Sequence, residues 1–141
     1  MSDFNLEDFL PYQLAVLAER TSRAFEQEYR ARFGIGVAEW RVLAHLSQSP
    51  SVSVRDIQKR VAMDKSRVSR AATRLEAAAF VTRRPDREDG RLIALELTEK
   101  GRDLIATMTP VAAGFEATIM ERLGKDDAAF RRALQTLLSN D

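Results

Sequence analysis

The sequence predicts a mainly α-helical chain with one small β-hairpin and a pair of closely joined helices at its centre. Three observations carry this. Apolar residues recur at steps of three and four through most of the chain, the period of a helix with one buried face. Between Phe80 and Leu97 the pattern changes to two short β-type runs around a polar, turn-rich tip. Near the middle only Ala62-Met63-Asp64 separates two helical segments, a gap short enough for a helix-turn-helix unit.

The elements follow in order. Leu10, Leu14, Leu17, Ala24, Phe25 and Phe33 mark one long helix from about Phe9 to Arg32, and Gly34 suits the left-handed residue that ends it. A second helix from about Val37 to Gln48 carries Trp40, Leu43, Ala44 and Leu46, and Ser49-Pro50 stops it. Ser53, with Asp56 three residues on, resembles a capping box that opens a short helix, Val54 to Val61. Asp64 is placed to cap the next, from about Lys65 to Ala79. Val81 to Arg84 and Leu92 to Leu97 read as strands joined by the tip Pro85 to Gly90. Thr98 then caps a long helix reaching about Leu123, with a bend expected at Pro110, which lacks a backbone donor. Gly124 ends it, and Asp126 or Asp127 starts a last helix containing Phe130, Leu134, Leu137 and Leu138.

The chain has 141 residues, 45% of them apolar and 30% charged, which fits one domain spanning 1–141 with a real core and a wet surface. No run is long and apolar enough to span a bilayer, and the acidic start, Met1 to Leu10, lacks the make-up of a secretory leader. With no cysteine, disulfides, thiolate metal sites and cysteine redox sensing are excluded. A cytoplasmic location is expected, and no metal or cofactor. The terminal helices are long for one small module, and their apolar faces call for a partner, most simply a second copy of the chain.

The net charge of +1 hides a division: residues 55–91 hold eleven basic and six acidic side chains, net +5, and the remainder nets −4. A basic middle between acidic flanks is expected where a domain meets phosphates, although a solvated basic face would look the same. The segment Asp64 to Ala79 is more specific. Val68, Ala71, Ala72, Leu75 and Ala79 share one stripe, while Ser66, Ser69, Arg70, Thr73 and Arg74 fall largely on the other, beside Arg67. Hydroxyls interleaved with guanidiniums suit base edges and phosphates in a DNA major groove, about 12 Å wide. An ordinary surface helix would show acid–base pairs, whereas here no acid follows the cap until Glu76. At the hairpin tip, Arg87 and Arg91 are placed to reach a minor groove, and Asp89 to hold the Arg91 side chain extended; a charged solvated turn is the plainer alternative.

Over nearly its whole length the chain resembles the MarR (multiple antibiotic resistance regulator) family of winged helix-turn-helix transcriptional regulators. The resemblance rests on Phe33-Gly34-Ile35 with Glu39 to Leu43, on Asp64 to Arg70 with Arg74-Leu75-Glu76, and on Asp89-Gly90-Arg91 running on to Leu97-Thr98-Glu99-Lys100-Gly101. It implies dimerisation helices at about 9–33 and 98–140 around a winged helix-turn-helix lobe at about 37–97. It also implies a homodimer on a pseudo-palindromic double-stranded DNA operator, with the recognition helix in the major groove and Arg91 in the minor groove. Repression relieved by a small, often aromatic or phenolic, ligand is implied as well. Gly36 departs from the family's usual Ser or Thr cap, which Gly replaces at little cost. The absence of cysteine excludes the peroxide-sensing branch, and a single histidine, His45, argues against a zinc-sensing one.

An enzyme would need a base beside a nucleophile, or a metal cluster. His45 lies on a helix between Leu43 and Leu46, where a half-buried structural residue is expected rather than a catalyst, and no Gly-rich phosphate loop is present. The remaining alternative is a winged-helix dimer that acts through protein contacts without reading DNA; Arg70, Arg74 and Arg91 weigh against it. Tyr12, Trp40, His45 and Phe115, with Phe9 nearby, are the candidates for lining a ligand pocket, although aromatic residues at helical spacing are more often core.

Overall fold

The computed structural model describes residues 3–49, 51–61 and 63–139. Pro50, expected to stop the second helix, Ala62 of the central turn and residue 140 at the expected end of the last helix lie outside the described residues. The elements are α1 (Leu10–Phe33), α2 (Val37–Gln48), β1 (Val52–Ser53), α3 (Val54–Arg60), α4 (Lys65–Ala77), β2 (Val81–Pro85), β3 (Ile93–Leu97), α5 (Glu99–Leu123) and α6 (Asp127–Leu138). A mainly helical fold with a β-hairpin wing is what the sequence predicts. The anticipated end signals operate. Gly34 sits at φ +69° and its N–H donates to the Arg30 carbonyl at 2.9 Å, closing α1. The Ser53 hydroxyl accepts the Asp56 N–H at 3.0 Å, and the Thr98 hydroxyl accepts the Gly101 N–H at 3.0 Å.

The chain forms two compact units, Met1–Met108 and Thr109–Asp141, and α5 contributes to both. In the first unit, α4 buries Val68, Ala71, Ala72 and Leu75, a stripe at three- and four-residue steps. It joins a core that includes Val42, Leu43 and Leu46 of α2, Ile57 of α3, and Val81 and Leu95 of the sheet. The two adjacent alanines let α4 lie close to its neighbours, which fixes the direction in which its outer face points. Tyr29 is fully buried and stacks on Trp40 at 5.7 Å, with Phe25 edge-on to both, so these rings form a structural cluster at the α1–α2 junction. Burial pushes the Tyr29 hydroxyl up to about 12, so it is un-ionised at neutral pH.

The sheet has three antiparallel strands in the order β1–β3–β2. The two-residue β1 was not anticipated from the sequence; it pairs Val52 with Leu95 and Ser53 with Ala94, and so ties the start of α3 to the wing. A 3-10 turn at Leu6–Asp8, capped by Asn5, is also unanticipated.

The α4 helix is two residues shorter than expected. It stops at Ala77, and Ala79 adopts a left-handed φ of +66°. The physical reason lies across the sheet, at the start of α5. The Thr98 N–H donates to the Phe80 carbonyl at 3.0 Å, the Thr98 hydroxyl to the Ala79 carbonyl at 2.6 Å, and Lys100 Nζ to the Ala78 carbonyl at 2.8 Å. Three successive carbonyls are thus drawn out of the helix, despite alanine's helix preference. Ala79→Gly is expected to stabilise the protein by about 0.5–1 kcal/mol, because glycine adopts this φ without the Cβ clash. A urea denaturation midpoint that does not rise would contradict this.

The second unit comprises residues 109–141. Arg131 lies 3.7 Å from Glu116 and 3.4 Å from the Met120 sulfur. The α6 helix has no buried residue, and Phe130, Leu134, Leu137 and Leu138 are exposed. In the first unit, Phe4, Leu6, Phe9, Leu10, Tyr12, Leu14 and Leu17 are exposed as well. Pro110 lies inside α5, whose helical assignment continues through it.

Candidate nucleic-acid interface

The interface begins at the turn before α4. Asp64 caps the helix: its Oδ1 accepts the Arg67 N–H and the Ser66 hydroxyl, each at 2.8 Å. These two hydrogen bonds hold the Asp64 carboxyl below the usual carboxylate range, so the cap stays charged. From α3, Gln58 Nε2 donates to the Ser69 hydroxyl at 3.1 Å and approaches the Lys65 carbonyl at 3.3 Å. One amide therefore pins the first two turns of α4 to α3.

The outer face of α4 divides into two halves. In the N-terminal half, Arg67 and Arg70 are exposed, and their side chains make no hydrogen bond or ion pair with other described residues. Ser66 is exposed beside them, whereas Ser69 is half-buried and engaged by Gln58. In the C-terminal half the side chains are tied. Thr73 Oγ1 donates to the Ser69 carbonyl at 3.1 Å and accepts from Arg83 of β2 at 2.9 Å. Arg74 Nε donates to Glu39 Oε1 at 2.7 Å. Burial opposes ionisation of Glu39, but the Arg74 hydrogen bond and the amides of Glu39 and Gly36 outweigh it, leaving the carboxyl below its ordinary value. Glu26, Arg30, Glu39, Arg67, Arg70 and Arg74 face a common recess of about 510 Å³.

At the wing, Asp86 Oδ1 accepts the N–H groups of Glu88 and Asp89 at 2.9 and 3.1 Å, which builds the turn. Asp89 grips Arg91 with both oxygens, at 3.0 Å to Nε and 3.1 Å to the terminal nitrogen, while the Arg91 side chain remains 90% exposed. The guanidinium is therefore held extended at the tip. The Arg91 bonds and the charge of Arg55 keep Asp89 ionised. Arg87 is exposed, 3.8 Å from Glu96, a carboxylate it shares with Arg84 at 3.2 Å.

The aromatic candidates for a ligand pocket occupy different settings. Trp40 belongs to the α1–α2 ring cluster, Tyr12 is 41% exposed on α1, and Phe115 lies in the second unit. His45 is half-buried; burial and the charge of Arg60 lower its affinity for a proton. A cleft of about 660 Å³ is lined by other residues, among them Ser47, Gln48, Ser51, Arg87 and Arg102. Among the described residues, no group of three or more carboxylate or imidazole side chains is placed to hold a metal ion. No described helix is long and apolar enough to cross a membrane.

Three residues that shape this surface were not singled out from the sequence as side chains that act on it: Gln58, Arg83 and Glu39. Only Glu39 carried a local signal, since it stands three residues after the Gly36 N-cap, where a carboxylate meets free amides.

Residues 33–92 match the MarR family model. The chain is 32% identical to a MarR family transcriptional regulator of Silicibacter pomeroyi, a solved structure, over 96% of its own length and 97% of that chain, with a TM-score of 0.79. The structure of a MarR/EmrR family regulator from Acinetobacter covers 96% of this chain and 95% of that chain at 28% identity, with a TM-score of 0.82. YdgJ, an HTH-type transcriptional regulator of Bacillus subtilis, is 30% identical over 79% of this chain and 66% of that protein. The chain spans between about half and two thirds of the length of several curated relatives it matches, 66%, 52% and 65% for three of them. With its two-faced central helix, its forked arginine at a hairpin tip and these likenesses together, the chain belongs to the MarR family of winged helix-turn-helix transcriptional regulators.

Proposed function

We propose that the protein is a sequence-specific DNA-binding repressor that acts as a homodimer on a pseudo-palindromic operator and is released by a small aromatic or phenolic ligand. The observation that carries the DNA reading is the outer face of α4: Ser66 and Arg70 stand exposed opposite the buried Val68–Leu75 stripe, with Arg67 exposed on its flank. They are the base-reading groups, with Ser69 and Thr73 beside them and Arg74 on the same face held by Glu39, while Arg87, Asp89 and Arg91 form the wing contact. Relatives from Pseudomonas putida and Mycobacterium bovis, each 28% identical, carry names that describe them as repressors, which favours repression over activation.

Affinity for duplex DNA is expected to fall steeply as salt rises, by a slope of about 0.9 in log–log terms for each phosphate neutralised. Titrations of duplex DNA at two salt concentrations test this. A flat response would remove the basic middle segment from the interface, and absence of binding would favour a dimer that acts through protein contacts. A dimer presents two α4 helices about one helical turn of DNA apart, roughly 34–36 Å. The exposed apolar residues of α1 and α6 are the surfaces a second copy would cover. Light scattering is expected to give twice the 15.9 kDa chain mass, and a stable particle of one chain mass would overturn the dimer.

Tyr12, Trp40 and His45 of the first unit are the proposed ligand contacts, and Phe115 of the second unit is a separate candidate. Trp40 is the single tryptophan, so its fluorescence reports on that neighbourhood. Titration with phenolic acids is expected to change it at concentrations that also dissociate DNA. Dissociation with unaltered Trp40 emission would move the ligand elsewhere.

A further inference from the structure

The arginines on the outer face of α4 are not equivalent. Arg67 and Arg70 make no side-chain hydrogen bond or ion pair with other described residues and feel Asp64 only through its charge, whereas Arg74 is held by Glu39 at 2.7 Å. The pairing is asymmetric in exposure: the Glu39 side chain is 13% exposed and that of Arg74 54%. The acid is fixed and the base is tethered to it. Glu39 stands in the first turn of α2, where its carboxylate also accepts amide hydrogens, and a Cβ placed on Gly36 would lie 3.1 Å from Glu39 Oε2. A phosphate approaching Arg74 must therefore compete with a carboxylate that is already seated, charge-assisted and partly screened from water.

We infer that Glu39 is a specificity-determining residue, which limits binding to unrelated DNA by withholding Arg74 from phosphates. This rests on the DNA-binding reading above and goes beyond it, because it removes one arginine from the sequence-independent attraction and leaves Arg67 and Arg70 to read. Phosphate contacts raise affinity for every sequence alike, so suppressing one increases the ratio of operator to random binding. The acid acts as a repulsive element against the wrong partners.

Glu39→Gln is the direct test. Glutamine still accepts amide hydrogens at the N3 position of α2, so the helix start is preserved and the urea midpoint serves as a check on folding. Binding of the full chain to a random-sequence duplex and to an operator recovered from bound genomic fragments is measured at several salt concentrations. Glu39→Gln is expected to tighten random-duplex binding severalfold, to steepen its salt slope by about 0.9, and to lower the operator-to-random ratio. A double-mutant cycle separates this from a general charge effect. Arg74→Ala is expected to cost severalfold more affinity for random duplex in combination with Glu39→Gln than alone; equal costs would overturn the inference. Unchanged or weakened random-duplex binding by Glu39→Gln would overturn it too. If the unmodified chain binds neither duplex, the DNA-binding reading itself fails, and this inference with it.

Discussion

Gly101→Ala is expected to destabilise the protein by about 3 kcal/mol, the upper end of what forcing one carbon into a filled space costs. A Cβ at this position would stand 2.1 Å from the Phe80 carbonyl oxygen and 3.1 Å from Leu97 Cδ2. The first obstacle is backbone and cannot rotate away. The strain would fall on the bonds by which Thr98 holds the Ala79 and Phe80 carbonyls, so the end of α4 would loosen along with the start of α5. Gly114→Ala, in the same helix, meets nothing within 4 Å and is expected to stabilise by about 0.5–1 kcal/mol through helix propensity. Urea midpoints of the two variants test the contrast. A Gly101→Ala protein with an unshifted midpoint would show that the junction gives way without cost.

The other large effect concerns binding. Arg70→Ala is expected to cost about 1–3 kcal/mol on the operator and to blur preference at one base pair per half-site. Arg70 is exposed on the outer face of α4 and makes no hydrogen bond or ion pair with other described residues, which leaves its guanidinium available for base edges on the proposed reading. Arg91→Ala is expected to weaken operator and random DNA more evenly, with a bias at A·T-rich flanks, because the minor groove offers a degenerate pattern and a shape. Neither substitution should alter folding, since both side chains are exposed and, among the described residues, Arg91 bonds only within its own turn. The comparison uses operator, single-base variants and random duplex at one salt concentration. If Arg91→Ala rewrites base preference and Arg70→Ala does not, the roles of α4 and the wing are reversed.

Local signals were legible in the sequence where the cause is itself local. Gly34, Ser53, Asp64 and Thr98 act on amides and carbonyls within a few residues, and each marks an element end in the structure. The buried stripe of α4 was readable for the same reason: Val68, Ala71, Ala72 and Leu75 repeat at the helical period. What was illegible depends on residues distant along the chain. Ala79 leaves the helix because Thr98 and Lys100 take the carbonyls around it, and nothing near Ala79 announces that. The two-residue β1 exists because β3 is there to pair with it. At the interface the residue types were readable, but the tying of Thr73 by Arg83 and of Arg74 by Glu39 was not, since the latter pair lies 35 positions apart.

The independence of Arg67 and Arg70 bears on how such a protein can change over time. Among the described residues neither side chain makes a hydrogen bond or ion pair, while the cap at Asp64, the Gln58 pin and the Thr98–Phe80 joint hold α4 without them. Replacement at either site therefore risks little stability. On the proposed reading of α4, duplicated copies of the gene would be free to drift toward new target sequences one arginine at a time, each step remaining a folded protein, whereas the filled space at Gly101 admits no such drift.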